Sequence, residues 1–400
     1  MILLERTGEL AVFGGEPLFQ TVRTTGQLAN RDPEAFFARM TGAFDRRRLT
    51  NQGPLVAELE QQLRELHRTK HAVTFANACF ALLLAARFLA RPGARKVLMP
   101  AFTFRGLPHL LRWAGLEPEY CDVDPIYHTL APDAVARSIG PDVALVLAVD
   151  NVSALCDIDA LEAVTRAAQV PLLLDSVYGI GGHYAGDPVG SRGDAAVFSL
   201  HATKLINGFE GGYLTTNDDA LATALQKDRN FGFDADGIAH GWSLNAKLNE
   251  IHAALALSNL PHLDRIIADN HTRFAAYQQA LSGIPWLGFA DYSRSPGNYG
   301  LCLLRVDATA PYTRNELIRI LRNENALVRP YYSPPLHRTV GPDQGHFALP
   351  VTDNLAGVFI QMPVGDQVSV DDIHRLGDFF RQLHREQSVI VPRLRSLVCE

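Results

Sequence analysis

The chain has 400 residues, of which 47% are apolar and 20% charged, and its formal net charge is -6. That composition supports a sizeable core, either in two domains or in one large domain with a cap, and argues against disorder. The longest basic run, Arg46-Arg47-Arg48, is too little for a nucleic-acid footprint, and apolar runs such as "CFALLLAA" (79–86) fall far short of a membrane span.

The opening "MILLERTGEL" carries acids and no long apolar stretch, so it is not expected to act as a secretory signal. The five cysteines (79, 121, 156, 302, 399) are scattered and lack CxxC spacing. They read as reduced thiols of a cytoplasmic protein, with no zinc site.

In "LVAELEQQLREL" (55–66), Leu55, Leu59, Leu63 and Leu66 recur at helical spacing, with Pro54 just before the first turn. From there to about residue 215, short apolar runs alternate with helical patterns. "KVLMP" (96–100), "VALVLAVD" (143–150) and "VPLLLD" (170–175) predict buried strands, and "FALLLAARFLA" and "DIDALEAVTRAA" predict helices between them. Such alternation implies a mainly parallel sheet covered on both faces. "DAAVFSL" and "YLTT" read as two further strands on either side of Lys204.

Residues 249–282 are mostly helical. Beyond them, "GLCLLRVD" (300–307) predicts a strand, and two capping boxes precede helices, at Thr313–Glu316 and Ser369–Asp372. In the second helix Ile373, Leu376, Phe380 and Leu383 should face inward. The expected organisation is a large domain over 1–264, including the N-terminal segment, and a smaller α+β domain over 265–400.

Open α/β sheets bind ligands at the carboxyl ends of their strands. Asp175 ends one strand, and reads either as a turn residue or as a buried carboxylate paired with a cation. Asn77-Ala78-Cys79 opens a helix, and reads either as an ordinary cap or as a phosphate cradle. Phe104 follows "KVLMPAFT" and taken alone reads as core. Lys204 taken alone reads as a solvated surface lysine. Its place between two strands favours a desolvated amine instead, and desolvation or Schiff-base formation makes such an amine reactive. One cofactor would use all four features. Pyridoxal phosphate needs a lysine for its aldehyde, an acid for its ring nitrogen, a cradle for its phosphate and a flat group against its ring.

With these motifs in place the chain resembles the DegT/DnrJ/EryC1/StrS family of pyridoxal-phosphate-dependent sugar aminotransferases. The resemblance runs from about residue 48 to 385. It is carried by "LTNQGPLVAELEQQL", "FANACFALLLAAR", "VLMPAFTFRGLPHLLRWAGLEPEYCDVDP", "GDAAVFSLHATKLINGFEGGYLTTND", "RNFGFDADGIAHGWSLNAKLNEIHAALAL" and "VRPYYSPPLH". It implies an aspartate-aminotransferase-like (fold type I) large domain with a smaller α+β domain. Lys204 would carry the cofactor as a Schiff base and later move the proton between the α-carbon and C4′. Asp175 would pair with the pyridinium nitrogen, and Phe104 would stack on the ring. Backbone at Ala78 and Cys79 and the Ser199 hydroxyl would hold the phosphate. Asn245 would reach the phosphate of a partner subunit's cofactor, which implies a homodimer. Thr50, Asn51, Arg329, Tyr332 and His337 fall in segments that line the family's substrate mouth.

Two stretches depart from the family's pattern. Tyr178 stands where Gln or His is usual, in a position to contact the cofactor's ring oxygen. Asp150-Asn151-Val152-Ser153 replaces a His-x-Tyr/Phe-Gly strand end near the sugar site. Both bear on substrate choice and leave the cofactor chemistry intact. The resemblance implies transfer of an amino group from glutamate or glutamine to a nucleotide-linked 4-keto- or 3-keto-6-deoxyhexose. Alternatives are amination of a keto cyclitol or another natural-product ketone, and a non-catalytic cofactor-binding regulator. Sugar dehydration on this scaffold uses a histidine in place of the lysine, and Lys204 argues against it.

Overall fold

A computed structural model describes residues 9–234, 236–239, 241–339 and 348–397. Cys399 and the first eight residues of the opening stretch lie outside them. The larger sheet begins with β1 (His71–Phe75), β2 (Lys96–Pro100), β3 (Glu117–Cys121), β4 (Val143–Val149) and β5 (Leu172–Asp175). A short hairpin, β6 (His183–Tyr184) and β7 (Asp187–Pro188), intervenes before β8 (Ala195–Ser199) and β9 (Gly212–Thr216) complete the sheet. The seven strands lie in the order β1-β9-β8-β5-β4-β2-β3. Neighbours from β8 to β3 are parallel, and β9 alone runs against both its neighbours.

β4 is buried at every position, as a continuous apolar run between two helical layers requires. β5 starts at Leu172, two residues later than its apolar run suggests, because Pro171 has no N–H for the ladder. Asp150 leaves the end of β4 and turns its carboxylate onto Cys156 N (2.9 Å) and Ser176 Oγ (2.6 Å). In the helix Pro54–His67, Leu55, Leu59 and Leu63 are buried and Leu66 packs beside them.

The smaller sheet contains β10 (Leu287–Phe289), β11 (Cys302–Val306), β12 (Arg329–Tyr331) and β13 (Phe359–Met362), ordered β10-β11-β13-β12 and antiparallel throughout. Both expected capping boxes form, on the helices Arg314–Asn323 and Val370–Arg385. Ile373, Leu376, Phe380 and Leu383 are all fully buried. Leu10 and Phe19 from the N-terminal segment pack into this smaller core.

The mostly helical stretch after residue 249 is two helices, Glu250–Asn259 and Leu263–Ala280, joined by a tight turn at Leu260–His262. The second helix joins the two sheets. Leu263 and Ile266 pack in the core of the larger sheet, while Phe274 and Tyr277 pack in that of the smaller one. Among the described residues no helix is long and apolar enough to cross a membrane, and no cluster of three or more His, Cys, Asp or Glu is placed to hold a metal ion. Cys79, Cys121, Cys156 and Cys302 are free thiols.

One buried carboxylate ties the helix Glu250–Asn259 to the start of the helix Pro54–His67 beside it. Glu250 is fully buried and accepts from Leu55 N (3.0 Å) and Val56 N (2.9 Å), two of the unpaired donors at the start of the helix Pro54–His67. Gly53 leaves room for it, since a Cβ there would lie 2.4 Å from the carboxyl carbon. Glu250→Ala should therefore destabilise the fold by about 1–3 kcal/mol, the scale for orphaning buried N–H groups. Urea unfolding checks this, with Glu250→Gln expected to retain part of the loss.

Candidate active site

Asp175 sits at the carboxyl end of β5, in the middle of the sheet, and is 3% exposed. The only hydrogen bond to its carboxylate among the described residues is a long one, from Val177 N at 3.4 Å. Burial pushes its pKa up to about 6, partly offset by the nearby Lys204 and reinforced by the second buried carboxylate at Asp150. A buried acid with so little hydrogen bonding calls for a cationic donor.

Lys204 lies in the connection between β8 and β9, half-buried, with its N–H on His201 O at 2.8 Å. Its Nζ sits 3.7 Å from the centroid of the Tyr178 ring. Gly26, Gln27, Val177, Tyr178, Leu205, Asn298 and Val364 are among the residues that line the pocket around it. The sheet thus brings lysine and acid together from stretches separated in sequence.

The helix Ala78–Leu89 follows β1 and presents its N-terminus to the same edge of the sheet. The Asn77 side chain caps it by accepting from Phe80 N at 3.0 Å. Ala78 and Cys79 are its first two residues, whose N–H groups have no acceptor within the helix. Cys79 feels both Asp175 and Glu210, although burial is the main cause of its raised pKa. Gly212, at the start of β9, packs directly on the helix start. A Cβ there would lie 2.3 Å from Ala78 N. That contact is why "EGGY" needs glycine at 212. The Ser199 hydroxyl ends β8 and accepts from His201 N at 3.2 Å. Phe104 is 56% exposed in the loop after β2, an apolar ring without cover in a single chain.

These features fit pyridoxal phosphate. A buried carboxylate lacks a cationic hydrogen-bond donor, a half-buried lysine stands beside it, and a helix start has been kept narrow by a glycine for close backbone approach.

The remaining expected residues are divided. Tyr332 is half-buried, with its ring 3.9 Å from that of Tyr331 and 5.4 Å from that of Phe102. Tyr331 and Tyr332 both interact electrostatically with Tyr178 and Asp175. Arg329 is exposed at the start of β12. Thr50 is exposed, and Asn51 lines a separate polar depression with Gln52, Gln226, Arg229, Asn230 and Lys247. Asn245 is exposed and accepts from Lys247 Nζ at 2.8 Å, next to that depression.

His337 departs from expectation. Its side chain is fully buried and its Nε2 faces Asp353 at 3.0 Å, so it is turned into the fold and not towards an open mouth. The Asp150–Ser153 loop is also directed inward, each residue at most 1% exposed. Asn151 donates to His128 O (2.6 Å) and accepts from Tyr331 OH (3.3 Å).

Sequence reasoning missed Gly26, Gln27 and Asn298. They reach the lysine pocket from the N-terminal segment and from a turn before β11, where no periodicity marks them.

A lysine and a buried acid at the carboxyl edge of a mainly parallel sheet, with a smaller antiparallel sheet alongside, define a fold type I pyridoxal-phosphate enzyme. The family model of DegT/DnrJ/EryC1/StrS aminotransferases matches residues 30–381, and the chain belongs to that family. It is a pyridoxal-phosphate-dependent sugar aminotransferase. It is 34% identical to DesI, solved in the presence of its TDP-sugar product, with a TM-score of 0.89 over 96% of this chain and 99% of that one. It is 26% identical, over 75% of this chain and 82% of the relative, to the dTDP-4-amino-4,6-dideoxy-D-glucose transaminase of Shigella dysenteriae. PseC of Helicobacter pylori, at 19% identity and a TM-score of 0.84 over 92% of this chain and all of that one, shares the fold.

The raised pKa of Asp175 has a measurable consequence in the cofactor-free protein. The native carboxyl binds its proton more tightly than the unfolded one, whose ordinary pKa is 3.8. Its stabilising contribution is therefore present below about pH 4 and is lost as pH rises through about 6. The difference in unfolding free energy between the wild type and Asp175→Asn should change by up to about 3 kcal/mol between pH 4 and pH 7. Urea unfolding across that range checks it, and a flat difference would contradict the assignment.

Proposed function

We propose that this protein transfers an amino group from glutamate to the 4-keto group of a nucleotide-linked 6-deoxyhexose, acting as a homodimer. The observation that carries the chemistry is Lys204 set beside the buried Asp175 at the carboxyl edge of the sheet. Support for the sugar comes from two relatives. DesI was solved with a TDP-sugar product, and the Shigella enzyme is named for a 4-amino-4,6-dideoxy sugar.

When bound, pyridoxal phosphate supplies an electron sink that stabilises negative charge at the carbon losing its proton. The chain's own residues do the rest. Lys204 Nζ holds the cofactor between turnovers and, once released, carries the proton between the substrate carbon and the carbon that receives it. Asp175 would pair with the cofactor's ring nitrogen and favour its protonated form. The N–H groups at Ala78 and Cys79 and the Ser199 hydroxyl bind the phosphate. Phe104 would pack against the bound ring, and Tyr178 would lie within reach of the cofactor. Tyr332 and Arg329 would contact the substrate.

The dimer reading rests on two surfaces. Phe37 and Phe44 are 65% and 61% exposed on the helix Pro33–Asp45, and Phe209, 45% exposed, has its ring 6.2 Å from that of Phe36 on the same helix. Uncovered aromatic rings grouped in this way fit an association surface. The polar depression holding Asn51 and Lys247, with Asn245 at its edge, would then face the partner subunit's cofactor phosphate.

Three experiments test these readings. Lys204→Ala should lower amine transfer at least about 10³-fold, the scale of losing a covalent attachment together with an acid–base group. A panel of nucleotide-linked 3-keto and 4-keto sugars and keto cyclitols, supplied with labelled glutamate, should show label entering the 4-keto sugars, whereas label entering keto cyclitols alone would overturn the sugar reading. Sedimentation should find a dimer, and a fully active monomer would overturn the shared site.

A further inference from the structure

Tyr178 occupies a place where its ring, and not only its hydroxyl, meets the reacting amine. Lys204 Nζ lies 3.7 Å from the ring centroid, well inside the range in which an aromatic face attracts an ammonium. The backbone that carries the ring is firmly held. Asn298, itself fully buried, donates to Tyr178 O at 2.6 Å and to Ile180 O at 3.1 Å. Asn298 O accepts from Asn270 Nδ2 at 3.4 Å, and Asn270 Oδ1 accepts from Gln27 Nε2 at 3.1 Å. This chain of buried amides runs from the N-terminal segment through the helix Leu263–Ala280 to the backbone of Tyr178. Gln27 and Tyr178 both line the pocket around the lysine.

We propose that Tyr178 is a positioning residue that holds the released ammonium of Lys204 on its ring face while the lysine is not bonded to the cofactor. Transamination requires such an interval, because the donor's amine takes the place of the lysine. A four-carbon stem with rotatable bonds would otherwise carry the charge away into solvent. Asp175 supplies the attractive charge on one side, and the tyrosine ring supplies a surface that needs no proton transfer to hold the cation. The departure at residue 178 then has a specific consequence. Glutamine, one of the two residues usual in the family here, has no aromatic face.

The inference rests on Lys204 being the cofactor lysine, and that is checked separately by borohydride reduction of the pyridoxal-phosphate holoenzyme. Reduction should fix the cofactor on Lys204. Fixation on another residue would overturn the reading of the site, and the inference with it.

The ring is tested on the full chain reconstituted with pyridoxamine phosphate, which leaves the lysine free. The protein is pulse-labelled with a small acylating reagent, and the peptide containing Lys204 is quantified by mass spectrometry. Tyr178→Phe keeps the ring and should label within about twofold of the wild type. Tyr178→Gln and Tyr178→Leu lose the ring and should label about threefold to tenfold faster, as expected for loss of a partly buried cation–π contact. Whichever ring-less variant keeps the wild-type melting transition is the one scored. Ring-less labelling at or below the wild-type rate would overturn the proposal, and so would Tyr178→Phe labelling as fast as Tyr178→Gln.

Discussion

The structure depends most on a carboxylate that the fold cannot satisfy by itself. Asp175 is carried into the interior at the end of β5, given one long hydrogen bond and a second buried acid nearby. Left alone, it would be a cost to the fold. Its placement is useful only if a cation stands against it, and Lys204 and a protonated ring nitrogen are the two candidates the site provides. The arrangement favours a bound, positively charged aromatic ring over an empty site.

The surrounding architecture keeps that acid and that lysine in register. β5 and β8 run parallel, so Asp175 and the chain leaving Ser199 emerge at the same edge. β9 returns antiparallel beside β8, and Gly212 lets it lie on the start of the helix Ala78–Leu89. Any side chain at 212 would push that helix start away. The smaller sheet contributes from the opposite side. Tyr331 and Tyr332 leave β12 against Phe102, and the helix Leu263–Ala280 fixes the two cores to one another. Asp122, at the end of β3, strengthens the join by accepting from Val351 N and Thr352 N.

Most of the fold was legible because its signals are local. A fully buried strand needs a continuous apolar run, and "VALVLAV" has no other good use. The capping boxes at Thr313 and Ser369 name their own donors and acceptors within four residues. Lys204, Asp175 and the Asn77 cap were legible for a different reason. They sit at strand ends and helix starts, where chemistry-bearing residues stand out against apolar neighbours. The direction of His337 was not legible, since its partner Asp353 lies 16 residues further along the chain and no local pattern pairs the two. Gln27 and Asn298 were invisible because an amide in an irregular segment carries no periodicity.

By itself, then, the sequence determined the alternation of strands and helices, the family, and the acid and lysine that carry the chemistry, because each follows from hydropathy period or from residue type at a strand end. Only the tertiary structure decided which groups share space. It placed Gly212 against Ala78, turned the Asp150–Ser153 loop inward, and brought the Tyr178 ring under Lys204 Nζ. Such contacts depend on the angle at which distant segments meet, and no local pattern encodes that angle.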